Sequence, residues 1–494
     1  MKTIVLEHPR LSSEKRFNDI ANTPLWSCLM GGYAASALEQ PGFEVIFIDD
    51  ALPGVPFAET TEKILAHSPE LLAVNAVYFW EHTEKLFDFL TNLRQEGFTG
   101  HINLFGFFPS LVYTDILRSV GAVDSIAVGE FEHTLVELGS MLAAGEGALE
   151  NVRGLATRLD GGDIHLTVRE PDNNPDRFKF PKQTILGSTA TILGSRGCYN
   201  RCSFCLVPTF DNQIGRWRGR SPLNIFKEIE RLAATGVKDF YFADPNFIGP
   251  GKAGRERTLQ LLELLKPLNI TFGMETRPND LDDEIMAHLV EAGMTSLLMG
   301  IESGSSNILR HIKKSSTTTV GTQAIQLCFD HGIDPEIGFL MFVPDATIHD
   351  LRDNMLFLKE NNLLDRLDRT ANLLSHKQIV LAGTAGYAEY ERQGRLRKSG
   401  IFGFEGEVLF GDPKVAWISE LVIFACSTIL KSMSEEQSPI FWKKTISPVF
   451  QATNRYLVGL FDKLLIEAET AYVSDNAAKR QEQIKHEIFM LIGS

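Results

Sequence analysis

Apolar residues along the first 150 positions fall into short runs, separated by longer stretches in which they recur every three or four residues. Lys2–Leu6, Phe43–Ile48, Leu71–Val77, Ile102–Phe105 and Asp124–Val128 read as strands, and Leu25–Leu38 and Glu81–Arg94 have helical spacing. Apolar strands alternating with helices predict a parallel sheet covered on both faces. In such a sheet ligands bind beyond the carboxyl ends of the strands. Here those ends are Asp49–Asp50, Tyr78–Trp80, Gly106–Ser110 and Gly129–Glu132.

A polar, proline-containing stretch, Gly161–Lys182, reads as a crossing between domains. The alternation then resumes. Strand-like Thr191–Leu193, Asp239–Ala243, Ile270–Met274, Ser296–Met299 and Glu336–Phe342 are separated by helical Leu223–Thr235, Arg257–Leu265, Asp282–Ala292 and Thr319–His331. This series predicts a partial or full β/α barrel with its reactive loops at the strands' C-terminal ends. Val415–Lys431 and Tyr456–Ala471 carry helical patterns. They predict a helical unit that either caps the barrel mouth or packs as a structural element. The fold class is α/β, with a first domain at 1–155, a linker at 156–184, a barrel at 185–375 and a mainly helical domain at 376–494.

Composition narrows the function. The 494 residues suffice for two or three domains, with 44% hydrophobic and 22% charged positions. A net charge of −15 without a basic tract argues against a nucleic-acid partner. The N-terminal apolar run is too short for a signal peptide, and Ile418–Leu430, interrupted by Glu420, is too short to span a bilayer. A cytoplasmic protein with no membrane partner is expected. Of six cysteines, Cys28, Cys328 and Cys426 are isolated in apolar surroundings and read as buried small hydrophobes.

The other three, Cys198, Cys202 and Cys205, form a C-x3-C-x2-C loop. Three thiolates are one short of the four that close an iron–sulfur cubane, and an iron without a protein ligand can bind and activate a small molecule. On spacing alone, zinc with a distant fourth ligand and buried free thiols remain open.

Motifs downstream carry a resemblance. The cysteine loop with aromatic Phe204 before its last cysteine, Asp239–Phe247, Phe272–Arg277, Met299–Ser305 continuing through Ile308–Lys314, and Ile337–Pro344 together resemble radical S-adenosylmethionine (SAM) enzymes over roughly residues 185–360. That resemblance implies a 4Fe–4S cluster on Cys198, Cys202 and Cys205, which are also the catalytic set. It implies Phe204 beside the adenine, and Asp244, Glu275, Arg277, Glu302, Ser303 and Gly304 as SAM contacts. Arg277 and Glu302 have an intrabarrel ion pair as their plain alternative, and Asp244 a helix cap.

The tail Val123–Leu135 resembles the end of the cobalamin-binding domain that precedes the barrel in one class of these enzymes. Tyr78, Trp80, Gly106, Ser110, Gly129 and Glu130 are the implied corrin contacts. Phe107 and Phe108 depart from that family's paired glycines, and no D-x-H-x-x-G motif is present. The expected partners are a small-molecule substrate and an electron donor such as flavodoxin or ferredoxin. The expected activity is cobalamin-dependent methylation of an unactivated carbon in a small natural-product-type substrate. Its alternative is a radical dehydration or rearrangement on a sugar-like substrate, the first domain being a cobalamin-free scaffold. An iron–sulfur sensor or electron carrier would leave Gly300–Gly304 without a purpose.

Overall fold

The computed structural model describes residues 1–11, 29–51, 54–184, 189–210, 216–443, 447–470 and 476–493. The first unit comprises β1 (Lys2–Glu7), α1 (Met30–Leu38), β2 (Glu44–Asp49), α2 (Phe57–His67), β3 (Leu71–Asn75), α3 (Glu84–Gln95), β4 (His101–Phe105), α4 (Phe107–Ser119), β5 (Ser125–Ala127), α5 (Glu132–Ala144), β6 (Leu155–Arg158) and β7 (Ile164–Leu166). Its strands pair in the order β2-β1-β3-β4-β5-β6-β7. The first five are parallel, and β6 and β7 are antiparallel. β3 is buried along its whole length, as a central strand covered on both faces must be.

Two expectations change here. Residues 156–166 are not linker: Asp160-Gly161-Gly162 turns a hairpin that extends the first sheet. The start of the Leu25–Leu38 helix, and Cys28 with it, lies outside the described residues.

The second unit comprises β8 (Thr189–Ile192), β9 (Ser195–Arg196), α6 (Val207–Phe210), β10 (Arg218–Gly219), α7 (Pro222–Ala233), β11 (Asp239–Phe242), α8 (Gly251–Leu265), β12 (Thr271–Thr276), α9 (Asp283–Glu291), β13 (Met294–Glu302), α10 (Ser306–His311), α11 (Thr318–Asp330), β14 (Glu336–Phe339), α12 (Ile348–Glu360) and α13 (Leu367–Ser375). Five strands form a parallel arc in the order β14-β13-β12-β11-β8, the partial form of the expected barrel. Alternation decides the faces: Phe240, Phe242, Phe272 and Met274 point outward into the helix-covered core. Tyr241, Gly273, Glu275 and Gly300 take the concave side, which receives the cofactor and substrate in a barrel enzyme.

The last unit comprises β15 (Val380–Leu381), α14 (Ala385–Arg392), β16 (Leu396–Ser399), β17 (Glu405–Val408), α15 (Pro413–Ser434), α16 (Pro448–Thr470) and α17 (Ala477–Ile492). Three short antiparallel strands, ordered β15-β17-β16, precede the expected helices. Among the described helices, α15 alone has the length and apolarity to cross a membrane, and 56% of its most apolar window is buried inside the protein. Ile418–Leu430 thus belongs to a helix of sufficient length, and burial marks it as a core helix. Cys328 and Cys426 are buried, as expected.

One apolar core joins the units. Phe210, Val380, Tyr387, Tyr390 and Phe404 pack into the same cluster as the first sheet's Phe79, Phe105 and Phe108.

Candidate active site

The cysteine loop is held at its base by a two-stranded ladder, in which Arg218 pairs with Arg196 and Gly219 with Ser195. Asp244, at the end of β11, is fully buried and accepts from Gly194 N (2.8 Å) and Ser195 Oγ (2.5 Å). Its carboxyl is pushed up to about 6 by burial. Asp244 therefore fixes the segment entering the loop, and these hydrogen bonds are to that segment rather than to a helix end.

Burial raises all three cysteine thiols. Cys198 rises, Cys202 is pushed up to about 11 and Cys205 higher still. Asn200 Nδ2 donates to Cys202 Sγ at 2.9 Å, and its backbone N–H to Cys198 Sγ at 3.5 Å. Arg277 and Lys314 oppose the upward shift of Cys198 and Cys202, so two cations already face the site. Among the described residues, no three His, Cys, Asp or Glu side chains are arranged to hold a single metal ion. The thiols are near enough to perturb one another without converging on one point.

Above the cysteines, the end of β13 is distorted. The register with β14 shifts between Gly300 and Glu302, and Glu302 has φ +70°. A non-glycine residue there is strained, as is common where a side chain must be aimed at a ligand. Glu302 Oε1 accepts from the buried ammonium of Lys314 at 3.0 Å. A Cβ on Gly300 would lie 2.5 Å from Glu302 Oε1 and 2.8 Å from Lys314 Nζ, so only glycine leaves this pair room. Lys314 was missed as a site residue, although it ends the Ile308–Lys314 stretch that follows the Glu302 motif.

Arg277 does not pair with Glu302. Its Nη2 donates to Ser315 O (2.7 Å), its guanidinium lies 4.6 Å from the centroid of the Tyr199 ring, and its Nε is buried without a partner. Tyr199 in turn donates to Asp280 at 2.6 Å. Glu275 faces the concave side, accepts from Tyr241 OH at 3.3 Å and is pushed up to about 7 by burial. Phe204 is half-buried against the main core.

Ser303 and Gly304 are committed elsewhere. Ser303 Oγ (2.7 Å) and Gly304 N (2.8 Å) both donate to Asn354 Oδ1 on α12. The side chain that Gly304 lacks would collide with Phe357 of the same helix. These two residues anchor the loop that carries Glu302. Asn354 has no motif around it and was not legible beforehand.

At the first sheet's carboxyl edge, Tyr78 and Trp80 line a cavity of about 760 Å³ shared with Pro344, Gln378, Gly400 and Glu405. Trp80 has φ +59°. The other four implied corrin contacts do not line this cavity. Ser110 Oγ donates to Gly106 O (2.6 Å) and accepts from Gly129 N (3.0 Å), while Glu130 pairs with Arg218 (2.6 Å) and Arg196 (3.4 Å). Phe107 packs at a tilt on Phe210, with ring centroids 4.2 Å apart, and Phe108 packs on Tyr78 and Phe404 at 5.3 and 4.9 Å.

Residues 192–358 match the model of the radical SAM superfamily. The chain therefore carries a radical SAM domain. A radical SAM domain implies a 4Fe–4S cluster and SAM, and the cysteine loop fits the cluster. An uncharacterized methyltransferase of Pyrococcus horikoshii is 24% identical over 381 residues, covering 73% of this chain and 78% of the relative. Two solved structures share the fold of the chain as a whole. The cobalamin-dependent SAM radical enzyme OxsB with aqua-cobalamin bound has a TM-score of 0.78 at 18% identity, covering 99% of this chain and 80% of OxsB. The radical SAM methyltransferase TsrM from Kitasatospora setae, with cobalamin and a 4Fe–4S cluster bound, has a TM-score of 0.67 at 14% identity, covering 95% and 98%.

Proposed function

We propose that this enzyme abstracts hydrogen from an unactivated carbon of a small substrate seated in the interdomain cavity, and that a cobalamin held there supplies a methyl group. The cavity carries the reading. It opens between the first sheet's carboxyl edge and the barrel rim, and its volume lies within the range of about 300–1,000 Å³ usual for cofactor and ligand sites. Tyr78 and Trp80, their rings 5.4 Å apart and edge to face at 74°, give it an aromatic corner on which an apolar group can pack.

When bound, the cluster and SAM supply a one-electron cleavage that yields a 5′-deoxyadenosyl radical, and the corrin supplies a transferable methyl. The chain's own residues do the rest. Arg277 offers an unpaired buried Nε for a carboxylate, and the Glu302–Lys314 pair presents charge-assisted partners for hydroxyl or amino groups. Gln378 Oε1, buried in the cavity wall without a partner, accepts from a substrate donor. Gln378 is linked to the cysteine loop: its side chain lies beside Gly386, whose N–H donates to Ser203 O at 2.7 Å.

The second reading has a specific observation behind it. Phe107 and Phe108 are buried in interdomain packing where the resemblance leads one to expect glycines. A radical dehydration or rearrangement on a sugar-like substrate then needs no corrin. Reconstitution with iron, sulfide and hydroxocobalamin under argon, followed by desalting, separates the two. Methylation predicts retained corrin absorbance that Trp80→Ala weakens, and S-adenosylhomocysteine beside 5′-deoxyadenosine when cell extract supplies substrate. Deoxyadenosine with no retained corrin would assign the second reading.

A further inference from the structure

Four side chains link the first domain to the two ends of the cysteine loop. Arg196 precedes Gly197-Cys198, and Arg218 faces it across the closing ladder. Both reach one carboxylate: Glu130 Oε1 lies 2.6 Å from Arg218 Nη1 and 3.4 Å from Arg196 Nη1. Arg196 Nη2 also meets Glu132 at 2.5 Å, and its guanidinium lies 4.0 Å from the centroid of the Phe178 ring. Glu130 Oε2 is occupied by Asp172 N at 2.9 Å, and Arg218 donates to Asp172 O at 2.7 Å. All four charged side chains are at most 9% exposed. Phe107 on Phe210 adds an apolar contact just after Cys205.

We infer that Glu130 and Glu132 are positioning residues for the iron–sulfur cluster: the first domain clamps the cysteine loop into the shape that receives it. The reasoning is physical. A loop of glycine and polar residues does not by itself hold three cysteines in a fixed geometry, and groups behind the ligands set their orientation. Removing one partner leaves buried charges uncompensated, so the clamp is stiff and its loss costly. The same loop, Gly129–Glu130, is tied through Ser110 to the start of α4. A rearrangement at the first sheet's carboxyl edge would therefore reach the cluster through Glu130.

Full-length Glu130→Gln and Arg218→Lys proteins test this, with Glu39→Gln, which releases only Lys182 of the linker, as control. The first readout is amide hydrogen exchange of residues 197–210 in metal-free protein. The second is iron retained by the reconstituted protein against a chelator. The clamp predicts faster exchange confined to 197–210 and iron loss accelerated about tenfold or more in both variants, with the control unchanged. Exchange and iron loss at wild-type rates, in variants that only unfold at lower temperature, would overturn it. If Glu130→Gln does not fold, Arg218→Lys, which keeps the charge and loses the planar fork, decides alone.

Discussion

At the scale of single residues, two buried neighbours at the end of β1 titrate in opposite senses. Burial pushes Glu7 up from 4.5 to about 7 and His8 down from 6.5 to about 3. Between pH 4.5 and 6.5 the unfolded chain carries a proton on His8 and none on Glu7, and the folded chain carries the reverse. The proton counts match, so these two residues together leave stability nearly flat there. Glu7→Gln removes one half of the exchange. A raised carboxyl destabilises the folded state as pH climbs from 4.5 through 7, so the variant gains on wild type across that window, by up to about 3 kcal/mol at its upper end. Thermal midpoints of the two proteins at pH 4.5, 6 and 7.5 check the sign. A difference that shrinks with rising pH would contradict it.

At the scale of elements, the end of β13 is organised by the helix behind it. Asp350 completes a capping box with Thr347 at the start of α12 and accepts from Ser305 Oγ at 2.6 Å. Asn354, one turn on, holds Ser303 and Gly304. Asp350→Ala leaves Thr347 as the cap but removes the reciprocal half of the box, for about 1 kcal/mol, and frees the loop that aims Glu302. A lowered melting temperature together with weaker SAM binding by calorimetry is the expected result; a stability loss with unaltered SAM affinity would separate α12 from the site. Elements of this kind divide what was legible in the sequence from what was not. β1 to β5 and the barrel strands announced themselves because a covered parallel strand must be apolar along its run. β6 and β7 did not, since Ile164-His165-Leu166 alternates over only three residues and its turn glycines look like linker. The charged motifs around Glu302 and Arg277 were legible, and Lys314 stood in the stretch that continues them, while Asn354 acts across 50 residues that no local pattern encodes.

At the scale of the whole molecule, the three units are not beads joined by linkers. The first domain's core runs on into Phe210 and Phe404, and its acidic loop grips the base of the cysteine loop. The cavity is lined by residues of all three units. Domain boundaries read from composition miss this, because interdomain packing uses the same apolar residues as any core. Everything in this account depends on Cys198, Cys202 and Cys205 carrying a cluster that cleaves SAM. The most direct measurement is 5′-deoxyadenosine formed from SAM by anaerobically reconstituted, dithionite-reduced protein, with Cys202→Ala alongside. The wild type is expected to form deoxyadenosine, and the variant to lose both that product and the iron. Full SAM cleavage by Cys202→Ala, or none by a wild type loaded with four irons, would contradict it.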